Sequence, residues 1–263
     1  RQRQMCIRDS LKLAQEKGFA EADPAMDVDG TDATQKLAIL AHLAFGVWVP
    51  WGEIPRMGIE GIDLGLLQYA AELGYRIRLV AVASRSDGRL AMRVAPALVK
   101  QGTPLAETRG AYNAVSIVGD AVGRMFFHGL GAGQMPTASA VVADIIDTVV
   151  GRAAITFKTT GVLTADSPAA RISGVDMQER HFLRIRVKDR PGVLARITGI
   201  LGEHGISIAS VLQHDASQAG DATVPLVIMT HPCGSNAISK AIDHIDAADV
   251  VSGRSVCLSV LDE

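Results

Sequence analysis

The last third of the chain admits few folds. From His181 to Lys188, Leu183, Ile185 and Val187 alternate with Arg184, Arg186 and Lys188, the period of a strand with one buried face. Pro191 then supplies a helix start. Val193, Leu194, Ile197, Ile200 and Leu201 follow at helical spacing, and Gly205 supplies the stop. ISIASVLQ (206–213) is a second strand, and a polar loop around Gly220 leads to a third, VPLVIMTH. Pro225 sits near the beginning of that third strand, where a missing N–H is most easily tolerated. A helix over Asn236–Ile245 and a strand over Arg254–Leu261 complete a βαββαβ unit. Antiparallel strands with both helices on one face is the expected packing.

The chain has 263 residues, enough for this unit and one larger domain before it. Formal net charge is −2, so nothing draws it broadly to nucleic acid or anionic lipid. Aromatics number eleven (six Phe, three Tyr, two Trp), few for stacking on bases. The most apolar stretch, Leu37–Trp51, is broken by His42, Gly46 and Pro50 and falls short of the ~18–20 residues of a spanning helix. Cys6, Cys233 and Cys257 are too scattered for a disulfide framework or thiolate cage, which fits a reducing, cytoplasmic setting. The first ten residues, RQRQMCIRDS, carry no apolar h-region and no periodicity, and look like translated sequencing adapter. On that reading the chain proper starts in mid-protein at Leu11, and Cys6 stands outside any argument.

DRPGVLARITGILGEHGISIASVLQ resembles the ACT domain, a ferredoxin-like amino-acid-sensing module attached to many biosynthetic enzymes. The match runs over residues 179–263. The resemblance implies an effector near the first strand-to-helix turn, at Asp189 and Gly192. Gly192 would permit close backbone approach, and the following helix N-terminus favours a carboxylate. The alternative is that Pro191 and Gly192 only shape a turn.

The chemistry gathers earlier. Within EADPAMDVDGTDATQK, Glu21, Asp23, Asp27, Asp29 and Asp32 fall in twelve residues, with Lys36 behind them. Asp32 and Lys36, four apart on a helical pattern, share one face and can aim a carboxylate and an ammonium at one point. Asp32 or Thr31 could also cap that helix. One reading is a solvated loop with an ion pair. A calcium loop fails on spacing, because counting from Asp27 puts Gly30 at position 4 and Ala38 at position 12. The third reading is an active site. Glu, then Asp eleven on, then Lys four further, resembles homoserine dehydrogenase. GTDATQKLAILAHLAFG, EGIDLGLLQYAAELGYRIRLVAVA, GLGAGQMPTASAVVADI and VPLVIMTHP extend the resemblance over everything after Ser10.

That family interconverts L-homoserine and L-aspartate 4-semialdehyde with NAD(P). The resemblance implies Lys36 as proton donor in aldehyde reduction, with Asp32 fixing its position. Glu21, Asp27 and Asp32 would bind substrate, the carboxylates of Glu21 and Asp27 holding its ammonium by charge-assisted hydrogen bonds. The family's late cofactor contact matches Gly133. A GxGxxG strand-turn-helix is missing, since GLGAG at 129–133 is followed by Gln134. Gly131 and Gly133 could equally serve only tight helix packing. The family's main dinucleotide domain would precede Leu11, so NAD(P) would be bound mainly by that absent domain, and the chain alone is expected to show no turnover.

The expected fold class is therefore α+β, a mixed α/β catalytic and dimerisation domain followed by an ACT domain. Residues 1–10 read as leader, 11–158 as catalytic domain with 131–150 returning to the nucleotide domain, 159–178 as linker and 179–263 as ACT domain. Before the turn, a helix Leu64–Leu73 leads to strands Ile77–Ala83, Met92–Leu98, Ala111–Val118 and Arg124–His128, whose sheet forms much of the family's dimer interface. Met125, Phe126 and Phe127 read as core or interface, and the helix around 136–150 should expose Ala140, Val141, Ile145 and Val149. His42 reads as a satisfied core residue. The other six histidines show no spacing that suggests a metal site. Expected partners are L-homoserine or the semialdehyde, L-threonine as effector, and a second copy of the chain, without nucleic acid or membrane. The rival is a non-catalytic amino-acid-binding regulator that keeps only the fold. The geometric requirement is that Glu21, Asp32 and Lys36 meet, with the first carboxylate within ~10 Å of the ammonium.

Overall fold

A computed structural model describes Gln15 and residues 23–86, 88–160, 177–214 and 223–261. Residues 1–10, read from sequence as leader, lie outside the described residues, as do Glu21, most of the expected linker and the loop around Gly220. In chain order the elements are α1 (Ala25–Val28), α2 (Thr31–Phe45), a 3-10 turn (Trp51–Glu53), α3 (Leu64–Glu72), β1 (Tyr75–Ser86), β2 (Arg89–Lys100) and α4 (Pro104–Glu107). Then come β3 (Tyr112–Gly119), β4 (Gly123–Leu130), α5 (Gln134–Val149), α6 (Arg152–Thr160), β5 (Gln178–Lys188), α7 (Val193–Glu203), β6 (Ile208–Gln213), β7 (Thr223–Thr230), β8 (Cys233–Gly234), α8 (Ser235–Asp246) and β9 (Val256–Leu261). Two compact units result, and β1 and β2 contribute residues to both. Of the described residues, those up to Leu64, Leu79–Ala95 and those from Gln101 to position 160 form the first; Gly65–Arg78, Pro96–Lys100 and those from Met177 onward form the second.

In the first unit, α2 buries Leu37, Ala38 and Ala41 at helical spacing against Val49, Ile54, Leu90, Met92 and Val94. Gly46, at φ 70°, ends the helix, its N–H donating to the His42 carbonyl over 2.9 Å. His42 is buried, but not satisfied as expected. Its Nδ1 has no hydrogen-bond partner, and the ring stands edge-on to Trp48 at 5.7 Å. Its helical neighbours Ala38 and Ala41 offer it no polar group.

β3 and β4 form a hairpin of their own, in register from Tyr112↔Leu130 to Gly119↔Gly123. Gly123, at φ 69°, is the left-handed residue that follows the loop 120–122 and starts β4. The single sheet expected from the four strands is thus corrected to two. β1 and β2 belong to a different sheet, because strand periodicity predicts which face is buried but not which edge is paired. Met125, Phe126 and Phe127 are exposed on the hairpin, so they are not core of this chain. Among the described residues α5 buries no side chain, and Val141, Ile145 and Val149 are open as expected.

The second unit realises the βαββαβ pattern. β5 pairs antiparallel with β7 and β9, and β6 pairs antiparallel with β7. Leu183, Ile185 and Val187 of β5 and Val224, Leu226 and Ile228 of β7 meet Val193, Ile197 and Leu201 of α7 and Ile238, Ala241 and Ile245 of α8 in one core. Each fully buried aliphatic side chain there contributes ~1.5–3 kcal/mol. Pro225 lies opposite Arg186, just past the last β6 pairing among the described residues, Gln213↔Leu226. β9 has a further partner that the pattern did not announce: β2 runs parallel beside it, Ala97 opposite Ser259. Tyr69 of α3 stacks on His214 at 5.5 Å, and Glu72 lies 2.8 Å from the same ring. Pro191 does not open α7, because Gly192 at φ 86° forms the N-cap and helical geometry starts at Val193. The Cys257 thiol, turned against the core, is pushed up to about 12 by burial, with Cys233 adding to the effect. No described helix is long and apolar enough to cross a membrane.

Candidate active site

The acidic segment is built from three local constraints. α1 turns Asp27 outward into solvent. Asp29 then closes an Asx-type turn, its Oδ1 accepting from the Thr31 N–H at 2.7 Å and its Oδ2 from the Thr31 hydroxyl at 2.9 Å. Gly30, at φ 83°, is the N-cap of α2 and offers no side chain. Neither Asp32 nor Thr31 caps the helix, as the sequence had suggested. Both stand inside its first turn, and Asp29 satisfies the exposed N–H from outside. The two bonds from Thr31 hold the Asp29 carboxyl below its usual range, and the Arg56 guanidinium adds a smaller pull against some desolvation.

The turn is held against the rest of its unit by backbone. Ile59 N–H donates to the Val28 carbonyl at 2.9 Å, and Met57 N–H to the Val94 carbonyl at 2.8 Å. A Cβ on Gly58 would stand 2.4 Å from the Val28 oxygen and 2.7 Å from the Asp29 Cα, so only glycine fits there. Asp29 and Gly58 were not singled out from sequence. The DG pair at 29–30 is the signal that could have flagged the first.

With α2 so started, Lys36 Nζ donates to Asp32 Oδ2 at 2.6 Å, on the i,i+4 spacing expected. The side chains are 60 % and 37 % exposed, and such a surface pair contributes only ~0.3–0.5 kcal/mol. Stability is a weak reason for the pair. Chemically, it presents an ammonium with a proton to give, oriented by a carboxylate and reachable from solvent. Glu21 lies outside the described residues, so the third corner of the expected triplet is not among these distances.

Gly133 precedes α5 at φ 125° and ψ 154°, a conformation L side chains rarely adopt. No side chain caps this helix of 16 residues, leaving the N–H groups of Gln134 and Met135 available to an acceptor, while Pro136 has none to offer. A phosphate-bearing cofactor fits that turn. Gly131 is held differently: a Cβ there would fall 1.9 Å from the Asn113 amide nitrogen.

At the expected effector turn, Asp189 and Gly192 are exposed. Residues the sequence did not flag brace it. Lys188 Nζ donates to the Asp249 carbonyl at 2.6 Å, and Arg196 pairs with the Asp249 carboxylate at 2.7 Å, with Arg190 at 3.8 Å. Among the described residues no group of three or more His, Cys, Asp or Glu side chains is placed to hold a metal ion.

The homoserine dehydrogenase family profile matches residues 1–146, and the ACT domain profile matches residues 181–249. A homoserine dehydrogenase of Pseudomonas aeruginosa is 38% identical over 260 residues, covering 96% of this chain and 59% of that protein. One from Neisseria gonorrhoeae is 37% identical over 255 residues, covering 95% of this chain and 58% of its own length. The crystal structure of a homoserine dehydrogenase from Thiobacillus denitrificans superimposes with a TM-score of 0.80 at 36% identity, over 97% of this chain and 58% of that one. The chain thus spans somewhat more than half the length of these relatives. With the first profile over more than half of the chain, the ACT profile behind it and these relatives along nearly its whole length, this chain belongs to the homoserine dehydrogenase family.

Proposed function

We propose that this chain carries the substrate-binding and proton-transfer part of a homoserine dehydrogenase, interconverting L-homoserine and L-aspartate 4-semialdehyde under amino-acid feedback through its ACT domain. The single observation that carries this reading is the 2.6 Å contact between Lys36 and Asp32. The family generally uses NAD(P), which supplies or takes the hydride at the carbinol carbon. In the reducing direction Lys36 gives an Nζ proton to the aldehyde oxygen as that oxygen gains charge; in the oxidising direction Lys36 takes the hydroxyl proton back. Asp32 keeps the Nζ aimed. Asp27, with Glu21, holds the substrate ammonium by charge-assisted hydrogen bonds. Gly133 lets backbone approach the cofactor, most of whose contacts belong to a separate nucleotide-binding domain. Asp189 and Gly192 receive the effector, for which L-threonine fits the reading. The assembly is at least a homodimer, and its setting is the cytoplasm.

The test is a fusion of this chain to the part of the Pseudomonas aeruginosa relative that it does not match, assayed with homoserine and NADP or NAD. Turnover is expected, and Lys36→Met should lower kcat by ~10²–10⁴ while leaving the folded fraction unchanged. A folded fusion without turnover, or a Lys36→Met variant as active as the parent, removes the catalytic reading and leaves an amino-acid-binding regulator.

A further inference from the structure

Two histidines forty residues apart meet on the helical face of the ACT domain. His204 follows the last turn of α7 and His244 stands in the last turn of α8. Their Nε2 and Nδ1 atoms are 2.9 Å apart, with ring centroids at 4.9 Å and planes tilted by 51°. Neither ring belongs to the acidic site or the effector turn, which lies at the other end of α7. We propose that this pair binds a divalent transition-metal ion of the zinc, nickel or copper class.

The distance carries the argument. Nitrogens each ~2.0–2.1 Å from one ion, at angles between a right angle and the tetrahedral value, lie ~2.9–3.4 Å apart. The observed separation is at the short end of that range, so the ion replaces the hydrogen bond without a rearrangement of the helices: the donor ring shifts its proton to its other nitrogen, and the two rings turn so that both lone pairs face the ion. Imidazole nitrogens select zinc, nickel and copper over magnesium and calcium, which prefer oxygen. Both rings sit where a helix presents its carbonyl end, a place that favours a cation. His244 and Glu203 also line an open cavity of about 450 Å³ between α7 and α8, roomy enough for a hydrated ion. The one guanidinium on that cavity, Arg196, is already paired with Asp249 at 2.7 Å, which offsets its repulsion of a cation.

With two protein ligands, the remaining coordination positions hold water. The bound ion ties the end of α7 to the end of α8. Binding to the folded chain alone raises its thermal midpoint by linkage.

The experiment titrates the full chain with Zn2+ and Ni2+ by calorimetry, alongside His204→Gln and His244→Gln. One equivalent is expected, with at least about tenfold weaker binding in each variant and loss of the metal-induced midpoint rise in both. A second readout needs no variant. Substoichiometric Ni2+ should broaden the side-chain NMR signals of His204 and His244 before those of the other histidines. No saturable binding, binding of wild-type strength in both variants, or earlier broadening at another histidine overturns the proposal and leaves the pair a hydrogen bond between two helix ends.

Discussion

Five carboxylates in twelve residues look alike as letters, and the fold separates three of the described ones. Asp32 orients Lys36, Asp27 faces solvent, and Asp29 holds the start of α2. The separation is geometric: an i,i+4 spacing on a helix can be read from sequence, but which acid precedes the helix and which lies inside its first turn depends on where Gly30 turns to φ 83°. The depressed Asp29 pKa has a signed consequence. Its contribution to stability is fully present above the ordinary carboxylate value, about 3.9, and is lost as pH falls through the lower value of the folded chain. Asp29→Asn should therefore melt at a lower temperature than the parent at neutral pH. The two curves should converge as the pH falls below about 4, which thermal melts from pH 7 downward will show.

At the scale of elements, most strands and helices of the ACT domain were legible because burial on one face stamps a period on the residues. The turns were less so. The GLGAG run shows how one loop mixes two situations: Gly133 is held by its backbone at φ 125°, whereas Gly131 has no unusual φ and only the end of an exposed side chain beside it. A Cβ on Gly131 would lie 1.9 Å from Asn113 Nδ2, and that exposed amide can swing aside. Gly133→Ala should therefore lower stability by ~1–3 kcal/mol in urea melts, the usual cost of a strained backbone. Gly131→Ala should stay within ~0.5 kcal/mol of the parent. Equal losses in the two variants would count against this division.

For the whole chain, the informative surfaces are those that remain apolar in the open. One face of the β3–β4 hairpin carries Ile117, Met125 and Phe127, exposed by 40%, 37% and 55%. Apolar faces of this kind in the open mark contact with another chain. If the hairpin joins two copies, Ile117→Glu with Phe127→Glu should convert a dimer to a monomer in sedimentation while the circular dichroism spectrum stays unchanged. A monomeric parent, or a double variant that still dimerises, counts against the hairpin as the interface.

The letters alone determined the period of each strand and helix, the Asp32–Lys36 spacing and the family, because these depend on neighbours a few residues away or on an uninterrupted run of matches. They also placed the apolar face of α5 in the open. Tertiary structure decided the rest: that β2 lies along β9, that β3 and β4 stand apart, that Asp29 rather than Asp32 serves the helix end, and that His204 faces His244. Each of these joins groups that no short period links, and only chain closure in three dimensions selects which distant edge or side chain supplies the missing partner.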